Sequence, residues 1–193
     1  MINNIVEIDK WVINQVLYFR TPTATAAMKY ITVLGESTAY VIYSIIMIVI
    51  LAYLGNKERR INQIIEYCVT MIGGSVLLIL LKELIQRPRP ISETTLIQVD
   101  GWSFPSGHAM MSVVFYGILL YIIIHRVKAR QLQLLACAAT VLIVVLIGVS
   151  RVYLQVHYLS DVIAGYIIGI CWLIFCLVGL RIYRSINHVD INI

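Results

Sequence analysis

The chain has 193 residues, of which 60% are hydrophobic and 13% charged, with a formal net charge of +5; its mean hydropathy is +0.87. A soluble core of this size cannot hide so many apolar side chains, because interior volume is limited and much of any folded surface stays in contact with solvent, so a bilayer is implied. The basic residues sit in short groups between apolar runs, as in proteins that set their orientation in a membrane, which argues against a nucleic-acid partner.

At the N-terminus, Ile5, Ile8, Val12, Val16 and Phe19 recur at helical spacing, with Glu7, Asp9, Lys10, Asn14 and Gln15 elsewhere. The pattern predicts an interfacial helix rather than a span. Glu7, Asp9 and Lys10 also break the apolar run that a cleavable secretory signal needs. A further crossing here requires Pro22 merely to kink a longer element, and Arg20 and Lys29 count against it.

Five runs approach the roughly 20 apolar residues that a helix needs to cross the hydrocarbon core: residues 37–54, 63–84, 107–125, 131–149 and 158–180. The second carries Glu66 near one end and Lys82 near the other, where long side chains reach the interfaces. Cys68, Cys137, Cys171 and Cys176 lie in apolar runs without metal-site spacing and read as buried small hydrophobes. The expected architecture is all-α: a polytopic bundle of five spans, six at most, with an N-terminal interfacial helix. One membrane-embedded domain over residues 1–193 is expected, with an N-terminal segment 1–36, a bundle 37–181 and a cytoplasmic tail 182–193.

Orientation follows from Lys and Arg near the ends of spans. One side holds Lys57, Arg59, Arg60, Arg126, Lys128, Arg130, Arg181 and Arg184; the other holds Lys10, Arg20, Lys29, Lys82, Arg87, Arg89 and Arg151. Three of the second set belong to the clusters below, and without them the first side dominates and is cytoplasmic. The loops 85–106 and 150–157 then face outward together, in a multi-pass protein of the plasma membrane.

Three clusters meet at that outer face: Lys82 with Arg89 and Pro90; Pro105, Ser106, Gly107 and His108; and Ser150, Arg151, His157 and Asp161. Asp161 follows His157 by four residues, which puts the two on one helix face with Asp161 a turn deeper. A carboxylate there accepts the proton of one ring nitrogen and leaves the other free as nucleophile or base. Gly165 and Gly169 continue that row and permit close approach of a neighbouring helix. Ser106 stands at a helix N-cap, so the N–H groups of Gly107 and His108 make an anion site, and His108 is placed to protonate a leaving oxygen. Lys82, Arg89 and Arg151 surround a pocket with only Asp161, and Glu83 nearby, to neutralise them. Such an excess calls for an anion, and fixed cations and N–H donors suit the equatorial oxygens of a phosphoryl group without a metal.

Each cluster alone has a structural explanation: an interfacial basic loop for Arg87 to Pro90, a helix start for Pro105 to His108, a hydrogen bond at a helix end for His157 and Asp161. Their convergence around one surplus of positive charge does not. Together they resemble the signature of the type 2 phosphatidic acid phosphatase family: K-x6-R-P over Lys82 to Pro90, P-S-G-H over Pro105 to His108, and S-R-x5-H-x3-D over Ser150 to Asp161.

The resemblance implies that His157 attacks phosphorus and forms a phosphohistidine, that Asp161 supports it, and that His108 donates a proton to the leaving group. It assigns the phosphoryl oxygens to Lys82, Arg89, Ser106, Gly107 and Arg151, and implies no cofactor. The implied substrate is a membrane lipid phosphate or pyrophosphate of the undecaprenyl pyrophosphate, phosphatidylglycerophosphate or phosphatidate class. Two other readings stay open: a lipid phosphotransferase using the same phosphohistidine, and a non-enzymatic protein that binds or moves anionic lipid.

Overall fold

A computed structural model describes residues 2–53, 57–90, 95–97 and 99–186. Among these residues the chain forms seven helices: α1 (Ile2–Tyr18), α2 (Pro22–Val33), α3 (Ser37–Tyr53), α4 (Lys57–Ile85), α5 (Gly107–Arg126), α6 (Arg130–Tyr153) and α7 (Leu159–Ile186). Four helices are long and apolar enough to cross a membrane, and the bent pair α2 and α3 makes a fifth span if taken together. The molecule is a multi-pass, all-helical membrane protein.

The segment 1–36, expected as one interfacial stretch, holds two helices. Pro22 starts a helix instead of kinking one: Thr21 takes an extended conformation, and its hydroxyl accepts from the N–H of Ala24 at 3.1 Å. That capping, with a proline whose own N–H would be unpaired in a first turn, separates α2 from α1. The expected tail 182–193 is helical to Ile186, as the end of α7; its remainder, 187–193, lies outside the described residues.

α2 and α3 are bent by 47° at a short break. Gly35 sits in it because a Cβ there would come 2.7 Å from Ile147 and 2.9 Å from the His108 ring. Seventeen residues of α3 reach only about 25 Å at 1.5 Å per residue, short of the ~30 Å hydrocarbon core, so α3 reaches span length only together with α2.

α5 is the most buried span and packs against α4, α6 and α7. Tyr40, Met47, Tyr67, Met111, Phe115 and Ile118 form the core where α3, α4 and α5 meet. Gly165 and Gly169 let α7 touch α5 directly: a Cβ would lie 2.8 Å from the Ser106 carbonyl oxygen at the first and 2.8 Å from that of Met110 at the second. The outer faces carry exposed Leu135, Leu142, Ile167 and Phe175, which suit lipid. For that reason apolar context does not imply burial: Cys176 is buried, but Cys171 is exposed.

The N-terminal helix departs from its expected face. Val12 and Val16 pack against the cluster of Ala109, Val152 and Val162, whereas Ile5, Ile8 and Phe19 are exposed and Asp9 is buried. A mostly apolar surrounding removes the usual rule that charge points away from the protein.

Candidate active site

Both chain segments that deliver the polar groups begin at a helix end turned by a left-handed glutamine. Gln86, at φ 49°, ends α4, and its N–H bonds to the carbonyl of Lys82 at 3.0 Å. Gln155, at φ 56°, ends α6 with N–H bonds from Gln155 to Val152 and from Val156 to Arg151, the paired bonds of a Schellman end. The first turn sends Arg87 and Arg89 back across the bundle; the second places His157 two residues later.

Two expected positions are adjusted here. Ser150 and Arg151 belong to the last turns of α6 rather than to a loop, and His157 precedes α7 rather than lying on it. The expected run ended at 149, short of where α6 stops at Tyr153, since the stop is set by backbone conformation at Gln155. His157 and Asp161 still face each other, with Nδ1 to Oδ2 at 3.6 Å, beyond ordinary hydrogen-bond range. The Ser103 hydroxyl spans the gap: it donates to Asp161 Oδ2 at 2.5 Å and lies 3.4 Å from His157 Nδ1. Tyr158 also donates its N–H to that carboxylate oxygen at 3.0 Å.

The other ring nitrogen of His157 lies 3.2 Å from a terminal nitrogen of Arg89. A guanidinium only donates, so Nε2 is the acceptor and the ring proton sits on Nδ1, toward Ser103 and Asp161. Burial pushes the His157 imidazolium down to about 4, the Asp161 contact opposing this and the Arg89 and Arg151 charges adding to it. At neutral pH the ring therefore presents an unprotonated Nε2.

Arg89 is itself held by three carbonyls, of Gly101 at 2.9 Å, Asp100 at 3.1 Å and Val156 at 2.8 Å. Lys82 donates to the Trp102 carbonyl at 2.6 Å. Arg151 donates to the Thr32 hydroxyl at 2.7 Å. Lys82, Arg89, Gly107, His108, Arg151 and His157 line one cavity of about 210 Å³, whose walls also include Gly35, Tyr40, Leu78 and Met111.

Ser106 occupies the N-cap position of α5, but its hydroxyl makes no capping bond. Among the described residues its buried Oγ has no partner, and neither have His108 Nε2 and Arg151 Nε. Buried polar atoms are rarely left unpaired, and these three stand beside the start of α5 and the end of α6, where an anion would satisfy them. Glu83 is exposed. Among the described residues, no three of His, Cys, Asp and Glu are grouped as a metal site would require.

Four contributors were not legible as such in the sequence. Ser103 and Thr32 carry no signal beyond their residue type. Arg87 stood out only as part of Arg87-Pro88-Arg89-Pro90; it donates to Asp161 Oδ1 at 2.6 Å and to Asp9 Oδ2 at 2.8 Å. Asp9 looked like one of several polar residues on an amphipathic helix, yet it is 2% exposed.

Residues 63–183 match the PAP2 superfamily. The chain belongs to the PAP2 superfamily. Within it, the chain is 38% identical to phosphatidylglycerophosphatase B of Bacillus subtilis over 100 residues, 51% of this chain and 47% of that protein. It is 26% identical to lipid phosphate phosphatase delta of Arabidopsis thaliana over 127 residues, 60% of this chain and 29% of that one. The matched part thus spans less than half the length of these curated PAP2 relatives. The fold is similar to the crystal structure of a transmembrane PAP2-type phosphatidylglycerolphosphate phosphatase from Bacillus subtilis, with a TM-score of 0.82 at 24% identity over 99% of this chain and 90% of that one. It is also similar to Aquifex aeolicus LpxE, with a TM-score of 0.66 at 25% identity over 89% and 93% of the two chains.

Proposed function

We propose that this PAP2 protein is a membrane lipid phosphatase that works through a phosphohistidine on His157. The observation that carries the reading is the Nε2 lone pair of His157, set in a cavity with Lys82, Arg89, His108 and Arg151. The family membership and the relatives that act as phosphatidylglycerophosphatase or lipid phosphate phosphatase support it.

In the first step Nε2 forms a bond to phosphorus while the bond from phosphorus to the lipid oxygen breaks. The leaving oxygen keeps the electron pair and takes a proton from His108. The Nδ1 proton stays toward Ser103 and Asp161, whose negative charge stabilises the ring as it becomes cationic. Lys82, Arg89, Ser106, Arg151 and the N–H groups opening α5 hold the equatorial oxygens. Water then attacks phosphorus and gives a proton to His108, the nitrogen–phosphorus bond breaks, and inorganic phosphate leaves. Every charge-stabilising contact in this scheme comes from the chain's own donors.

The substrate is a phosphate monoester or pyrophosphate of a membrane lipid, of the phosphatidylglycerophosphate, phosphatidate or undecaprenyl pyrophosphate class. Tyr40, Leu78 and Met111 supply apolar wall beside the cations, as a headgroup joined to a hydrocarbon chain needs. The distribution of Lys and Arg supports a site on the extracytoplasmic side of the plasma membrane. The test is phosphate release in detergent from these three lipid classes, with and without EDTA, beside His157→Ala. Release by the wild type alone is expected; a wild type that releases none, or an equally active His157→Ala, overturns the reading.

A further inference from the structure

We propose that Asp9 and Arg87 are positioning residues that lock the Asp161 carboxylate for His157, making the N-terminal helix part of the active site; the proposal rests on the phosphatase reading. A carboxylate that supports an imidazole must present one oxygen to it and be prevented from turning. Asp161 divides its two oxygens: Oδ2 takes Ser103, the Tyr158 N–H and the His157 side, and Oδ1 takes Arg87.

Arg87 is fixed in turn. One terminal nitrogen reaches Asp161 and the Ser160 hydroxyl at 2.7 Å, the other reaches Asp9, and the guanidinium carbon lies 4.1 Å from the centroid of the Tyr158 ring. Asp9 completes the frame from α1, accepting the Ser160 N–H at 2.9 Å and the Ser160 hydroxyl at 2.5 Å. Asp9, Arg87 and Ser160 thus close a ring of hydrogen bonds behind the His157–Asp161 pair, and Arg87 joins that ring to Asp161.

Its cost makes a merely structural role a poor explanation. Burying two carboxylates beside a partly buried guanidinium costs desolvation that pairing only partly offsets, and apolar packing of equal volume fastens a helix as well or better. α1 has such packing available through Val12 and Val16. What apolar contacts cannot do is orient a carboxylate.

Charge matters as well as geometry. His157 faces Arg89 from the loop after α4, Arg151 from α6, Asp161 from α7 and His108 from α5, with Lys82 of α4 in the same cavity. Arg87 faces the far oxygen of Asp161 and moderates the negative charge that the imidazole feels. Removing that cation strengthens the remaining attraction and raises the His157 pKa.

The experiment uses the full chain in detergent with Asp9→Asn, Arg87→Gln and Arg87→Lys. Asp9→Asn, nearly isosteric, is expected to lower kcat roughly 10- to 100-fold with KM changed less than about twofold, as a small misplacement behind the reacting groups does. The His157 titration is followed by NMR of histidine-labelled protein, which needs no turnover. Its midpoint is expected to rise in Arg87→Gln and to return toward the wild-type value in Arg87→Lys. Wild-type kcat in Asp9→Asn, or an unmoved midpoint in folded Arg87→Gln, overturns the proposal. Should the wild type hydrolyse no lipid, the phosphatase reading fails, and the titration still judges the positioning ring separately.

Discussion

His157 and Asp161 are four residues apart in sequence, and the Ser103 hydroxyl, more than fifty residues upstream, closes the space between them. A nucleophilic imidazole supported through a serine depends on that hydroxyl. Ser103→Ala removes a hydrogen bond to a charged group, worth about 1.5–3 kcal/mol, so kcat is expected to fall roughly 10- to 150-fold if the bond is fully expressed in the transition state. Steady-state phosphate release, with KM largely unchanged, is the measurement.

The pH dependence follows from the same ring. His157 is neutral above about pH 4 because burial disfavours its charged form. As pH falls through that value, Nε2 takes up a proton and can no longer attack. The acid limb of the kcat/KM profile that belongs to His157 is therefore expected to fall at about pH 4. Arg89→Gln removes a cation beside Nε2 and should move the drop to higher pH. A limb unchanged by Arg89→Gln would contradict the assignment of Nε2 to the Arg89 side.

Thr32 ties α2 to the cations of the cavity through Arg151. Thr32→Val keeps the shape and removes the acceptor, leaving one arm of a buried guanidinium free to move. Losing such a bond costs about 1–3 kcal/mol. The expected result is a raised Ki for inorganic phosphate or vanadate, with KM rising more than kcat falls.

Two glycines of α7 make opposite predictions. At Gly165 a Cβ would meet the Ser106 carbonyl oxygen at 2.8 Å, and backbone does not yield cheaply, so Gly165→Ala is expected to lower Tm and to displace the start of α5. Overpacking of this kind costs about 1–3 kcal/mol. At Gly179 nothing among the described residues lies within 4 Å of an added Cβ, so Gly179→Ala is expected to be neutral or to stabilise by roughly 0.5–1 kcal/mol through helix propensity. Thermal unfolding of both variants in one detergent, with activity beside it, makes the comparison.

The amino-acid sequence by itself determined the medium and the chemistry. Apolar runs of span length require a bilayer whatever their packing, and the order and spacing of Lys82, Arg89, Ser106, His108, Arg151, His157 and Asp161 match the signature of the family to which the chain belongs, on which the proposed phosphoryl chemistry rests. Gly165 and Gly169 were legible for the same local reason, since a row of small residues at helical spacing has few purposes besides close approach.

Only the tertiary structure decided which charges face one another. Asp9 reads as solvated on an amphipathic helix until α1 lies against Ser160, and Arg87 reads as an interfacial cation until the left-handed turn at Gln86 sends it to Asp161. Hydrophobic periodicity reports the average surroundings of a helix face. A hydrogen bond depends on positions fixed to a few tenths of an ångström by elements far apart in the chain, and no local pattern of residue types encodes that.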